Sequence, residues 1–105
     1  MTSKQRLRVL AKYLLSGAVD EERFDMSSWP SCAIGEASRV PSLQKEGLEI
    51  TGDDWSGYQP EYNGYSSFEA CARFFGITQS QAKDVFGSVA RPAVKVGHQL
   101  LKFLK

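Results

Sequence analysis

A chain of 105 residues, 42% hydrophobic and 24% charged with a net charge of +1, has the make-up of one ordinary globular domain. A single domain is expected at that length, and no apolar run approaches membrane-spanning length. Residues 1–17 alternate basic and apolar side chains without the continuous apolar stretch of a signal peptide, so a cytoplasmic location is expected.

The charges are segregated along the chain. Residues 1–17 hold Lys4, Arg6, Arg8 and Lys12 with no acid, and residues 88–105 hold Arg91, Lys95, Lys102 and Lys105 with none. From Glu46 to Ala72 stand Glu46, Glu49, Asp53, Asp54, Glu61 and Glu69 without a single Lys or Arg. Two readings stay open: solvated faces that offset one another, or poles that steer encounter with a partner.

A first helix is predicted from Thr2 or Ser3 to about Ser16, capped by one of those hydroxyls, with Leu7, Leu10, Ala11 and Leu14 as its apolar stripe. Gly17 ends it. In the following VDEERFDMSSW, Asp20 caps a single turn, and Phe24, Met26 and Trp29 anchor to the core. CAIGEASRV then forms a short helix whose small residues Cys32, Ala33, Gly35 and Ala37 admit close approach by a neighbour. Pro41 breaks it and opens the next helix, which Gly47 terminates. Leu48 to Thr51 alternates apolar and polar residues and can pair with Tyr58 to Tyr62 as a small hairpin.

The most legible stretch is Ser66 to Gly87, two short helices joined at Gly76. Phe68, Cys71, Ala72 and Phe75 lie on one face of the first, and Ala82, Val85 and Phe86 on one face of the second. Ser66 with Glu69, and Thr78 with Gln81, have capping-box form. Pro92 starts a last helix with Val94, Val96, Gly97, Leu100, Leu101, Phe103 and Leu104 inward, expected as the long strut of the core. The fold class is therefore mainly α, α+β at most: one compact domain of five to seven short helices with at most a small β-hairpin. Phe24, Trp29, Phe68, Phe75, Phe86, Leu101 and Leu104 are the expected core.

Four constellations bear on function. Asp53, Asp54, Trp55, Tyr58, Tyr62 and Tyr65, spaced by Gly57, Pro60 and Gly64, form an acidic, aromatic, irregular segment of the kind that binds proteins, unless the rings merely roof the core. The helix pair has helix-turn-helix spacing through Ala72, Gly76, Ile77, Thr78, Ala82 and Val85, and would present Gln79, Gln81 and Lys83 to DNA. That unit carries Glu69 and Asp84 against Arg73 and Lys83, without the basic excess that phosphate binding asks for. Cys32, at a helix start, is a candidate thiol nucleophile, with His98 the only histidine to serve as its base. One His, two distant Cys and the Asp53-Asp54 pair give no metal-ligand spacing, and no phosphate-cradling glycine loop or other cofactor motif is present.

The segments RFDMSSW at 23–29, CAIGEASRVP at 32–41, GLEI at 47–50 and SSFEACARFFGIT at 66–78, followed by QAKDVF, carry a resemblance. The chain resembles a family of small uncharacterised proteins of phages, prophages and bacteria. Relatives often have a further Cys and a Gly-rich insertion before the CAIG segment, absent here. The resemblance implies no enzyme activity and no cofactor. It implies a setting of accessory phage genes, whose compact products include anti-CRISPR proteins that block a host complex. The resulting expectation is a non-enzymatic module whose partner is a host protein or ribonucleoprotein complex, with no membrane association. A DNA-binding regulator and a cysteine hydrolase are the alternatives.

Overall fold

The computed structural model describes residues 1–104. Helix α1, Ser3–Leu15, starts on a complete capping box: Thr2 Oγ1 accepts from Gln5 N at 3.1 Å and Gln5 Oε1 accepts from Thr2 N at 2.8 Å. Its predicted stripe of Leu7, Leu10, Ala11 and Leu14 is fully buried. Segment 19–29 is a chain of turns around Asp20, with Val19 and Met26 buried. Helix α2, Ala33–Arg39, follows, and Pro41 opens the single turn of α3, Pro41–Gln44. Gly35 bears out the reading of a close approach. A Cβ there would lie 2.2 Å from the Pro30 carbonyl oxygen and 2.5 Å from that of Trp29.

Three antiparallel strands in the order β1-β2-β3 come next: β1 Glu49–Asp53, β2 Gly57–Tyr62 and β3 Tyr65–Ser66. The first hairpin is the expected one with shifted ends, β1 gaining Gly52 and Asp53 and losing Leu48 and β2 gaining Gly57, with Ile50 opposite Pro60 and Glu49 opposite Glu61. The third strand was not expected. Tyr62 pairs with Tyr65 across Asn63 and Gly64, whose φ values of 54° and 84° make the two-residue turn that Asn-Gly favours. Pro60 is tolerated in the middle strand because β3 pairs only with Glu61 and Tyr62, leaving that flank of β2 free at Pro60.

Helix α4, Ser67–Phe75, lies against β2 and against α5, Gln79–Phe86. Gly76, at φ 65°, stops α4 as predicted. The Ser66–Glu69 box is not made. Ser66 is held in β3 opposite Glu61, and the chain turns into the helix through Ser67 at φ 58°, which takes the Ser66 hydroxyl away from the helix end. The second box is made, with Thr78 and Gln81 exchanging bonds of 3.0 and 2.9 Å. At the far end of α5, Arg91 gathers the free carbonyls, donating to Val85 O at 3.0 Å and Gly87 O at 3.3 Å.

Helix α6, Ala93–Lys102, is shorter than α1, so the long strut is α1 and α6 is its partner. Pro92 caps α6 and does not form its first turn; the Ala93 N–H donates to both carboxylate oxygens of Glu21, at 3.0 and 3.2 Å. Gly97 lets the two helices close, since a Cβ would sit 2.9 Å from Leu15 Cγ and 3.2 Å from the Ala11 carbonyl. The core runs on as a chain of ring contacts from sheet to helices: Tyr62 on Phe74, Phe74 on Phe75 and Phe75 on Phe86, with centroids 5.0, 4.9 and 5.6 Å apart.

The fold is thus mixed α+β, six helices and a three-stranded sheet among the described residues. Of the expected core, Phe75 and Phe86 are buried, whereas Phe24, Trp29, Phe68, Leu101 and Leu104 pack on its margin, half-buried. Val94 is 43% exposed. Phe74, Ile34 and Leu43 take the central places instead. Phe74 does so because α4 is covered on two sides, by the sheet and by α5, so its apolar arc is wider than one stripe.

Candidate protein-binding hairpin tip

The β1–β2 turn is built by one carboxylate and two glycines. Asp53 Oδ1 accepts from Ser56 N at 2.7 Å, from Trp55 N at 2.9 Å and from Ser56 Oγ at 2.9 Å. These donors, the Ser56 N–H first, then its hydroxyl and the Trp55 N–H, hold the Asp53 carboxyl below its ordinary pKa. Gly52 lies at φ 119°, and a Cβ on it would fall 2.0 Å from the Gly57 carbonyl oxygen. Gly57 itself is at φ 84°. The turn is therefore braced by its own backbone.

On this brace Trp55 stands 98% exposed. Tyr58 is 41% exposed and donates its hydroxyl to Asp54 Oδ1 at 2.8 Å, a bond to an anion that raises the phenol pKa. Asp53, Asp54, Trp55 and Tyr58 thus share one tip. Tyr62 and Tyr65 do not belong to it. The Tyr62 ring is half-buried at the root of the sheet, edge-on to Phe74, with the Arg6 guanidinium 5.4 Å from its centroid and Arg6 Nη1 donating to its hydroxyl at 3.3 Å. Tyr65 is half-buried beneath Arg73, whose guanidinium carbon lies 4.4 Å from the ring centroid. Tyr62 thus roofs the core, while the Tyr65 ring is covered from outside by the exposed Arg73.

Arg6 ties three parts of the chain together. It lies 4.5 Å over the Phe74 ring and donates to the Phe74 carbonyl at 3.1 Å. Its Nε is 3.5 Å from Glu46 Oε1, close enough for an ion pair but not aligned as a hydrogen bond. The outer face of the sheet carries a feature the sequence reading missed. Glu49 and Glu61 face each other in register, and Thr51 donates to Glu61 Oε1 at 2.6 Å. Alternation of Glu49, Thr51 and Asp53 in β1 against Gln59 and Glu61 in β2 was the available signal.

The other candidate groups are dispersed. On α5, Gln79 and Lys83 are exposed, but the Gln81 side chain is spent on the Thr78 cap. Cys32 is fully buried, its thiol donating to the Trp29 carbonyl at 3.3 Å. Burial pushes its pKa up, outweighing the N–H groups of Gly35 and Ile34 that pull it down. Cys71 is also free and buried, and its pKa is raised by burial and by Cys32. His98 is exposed on α6. Among the described residues, no three His, Cys, Asp or Glu side chains converge as a metal site, and no helix is long and apolar enough to cross a membrane.

Two hollows have apolar linings. One, of about 250 Å³, lies between Met26, Trp29, Phe68 and Phe86, with Ser27 and Ser88 at its rim. The other, also about 250 Å³, is a groove on α1 between Met1, Gln5, Arg8, Val9 and Lys12. Both are below the usual size of a small-molecule site, roughly 300–1,000 Å³. No protein-family model matches the chain, and no curated protein and no solved structure matches it.

Proposed function

We propose that this protein is a non-enzymatic binding module whose hairpin tip docks on a host protein or ribonucleoprotein, occluding a surface of that partner. The observation that carries the reading is Trp55, 98% exposed on a turn held rigid by Asp53 and Gly52. A large indole in water has no role in the core, and Trp and Tyr on a pre-ordered support are the residues that supply most of the energy at protein interfaces. The phage setting implied by the resemblance makes a host-defence complex, of the kind anti-CRISPR proteins block, the first partner to test. The buried, protonated Cys32 supports a binding module over a thiol hydrolase.

The test compares wild type with Trp55→Ala in affinity capture from nuclease-treated bacterial lysate. Trp55→Ala is expected to keep the same melting temperature and lose the partner that wild type retains. Equal capture by both proteins refutes the tip as the binding site. Nucleic acid recovered only without nuclease, and lost with Lys83→Ala, would replace this reading by the helix-turn-helix one.

A further inference from the structure

The two poles of this molecule are complementary in more than charge. The α1 groove has Val9 and the Met1 side chain as its apolar part, while Arg8 and Lys12 on the exposed side of α1 supply cations. At about 250 Å³ it has room for one large side chain and little more. The hairpin tip offers a side chain of that kind, Trp55, flanked by the carboxylates of Asp53 and Asp54. Neither these two carboxylates nor Arg8 and Lys12 enter any ion pair among the described residues. The second apolar hollow, between Met26, Trp29, Phe68 and Phe86, has no cation in its lining and leaves the carboxylates unanswered.

We propose that the protein self-associates head to tail, the Trp55 tip of one copy entering the α1 groove of the next while Asp53 and Asp54 meet Arg8 and Lys12. Tip and groove are different surfaces, so the contact is heterologous, and an assembly of any length keeps one free tip at one end and one free groove at the other. The contact is small, so the association is weak, concentration-dependent and loosened by salt. It rests on the same tip as the proposed function, and a copy whose tip is seated in a neighbour cannot present it to a host partner.

The experiment is sedimentation velocity on purified protein over rising concentration, at low and high salt. Wild type is expected to show a mass that rises with concentration and falls with salt. Trp55→Ala, and separately Arg8→Glu with Lys12→Glu, are each expected to stay monomeric, and all three positions are solvent-facing, so circular dichroism should report intact folds. The decisive arm mixes the two variants. The first keeps its groove and the second its tip, so together they should form a one-to-one dimer that grows no further. A wild type that stays monomeric at every concentration overturns the proposal, as does association that survives either variant, or a mixture that forms no dimer. The Arg8→Glu, Lys12→Glu protein retains an intact tip, so its capture of a host partner tests the proposed function independently.

Discussion

At the scale of single residues, the hairpin tip depends on Gly52 and Asp53. Gly52 is at φ 119° with no room for a Cβ against the Gly57 carbonyl, so both strain and clash oppose any side chain there. Gly52→Ala is expected to cost about 1–3 kcal/mol in urea unfolding and to weaken partner capture without touching Trp55. Asp53 makes the tip sensitive to acid. Its folded pKa is below the ordinary value of 3.8, so the stability it lends is complete above that value and is lost as pH falls through the folded pKa. Trp55 anisotropy should therefore be flat from neutral pH down to about 4 and fall below it, and Asp53→Asn should flatten the acid limb. The acidic and aromatic character of residues 53–58 was legible from composition. The division that leaves Tyr62 and Tyr65 out of the tip was not, because it depends on Arg6, far away in sequence, stacking on Tyr62 and on Arg73 of the next helix stacking on Tyr65.

At the scale of elements, local signals were readable wherever the chain closes a contact with itself. The Thr2 cap, the Thr78 box and the Gly76 stop all depend on residues within one helical turn, though the reciprocal Gln5 bond that completes a box at Thr2 was not read from the sequence. The Asn63-Gly64 turn was equally local, but it went unread and with it the third strand. The Ser66 box failed for a reason outside its own turn, the pairing of Ser66 with Glu61. Two predictions belong here. Gly35→Ala would gain about 1 kcal/mol of helix propensity. A Cβ 2.2 Å from the Pro30 carbonyl outweighs that gain, and a net loss of about 1–3 kcal/mol in chemical denaturation is expected. In β1, Glu49 opposes Glu61 and neither is in an ion pair among the described residues, so Glu49→Lys should stabilise the hairpin by about 0.2–1 kcal/mol, read as a higher denaturation midpoint.

At the scale of the molecule, the segregation of charge was visible in the sequence, and the fold keeps it: the acid-rich stretch forms the sheet, and two basic stretches form α1 and α6, which pack on each other. The mixed α+β character was only half legible, since two of three strands showed their alternation and the third is two residues long. The α1–α6 pair is also where global stability is expected to be most exposed. Leu100 is fully buried in α6, and Leu100→Ala should cost about 2–5 kcal/mol, a large share of a typical total of about 5–15 kcal/mol, with helix and near-ultraviolet aromatic signals melting together.

That pairing of the first helix with the last has a consequence for how the protein comes into being. On the ribosome α1 emerges well ahead of α6, and Leu7, Leu10 and Leu14 have no α6 to cover them until every element between the two has been made. The two hairpins and the α4–α5 pair can form as they appear, because their contacts are local. The nascent protein is then a partly ordered body trailing a basic amphipathic helix with its apolar stripe uncovered, the species most open to chaperones, to proteases and to aggregation.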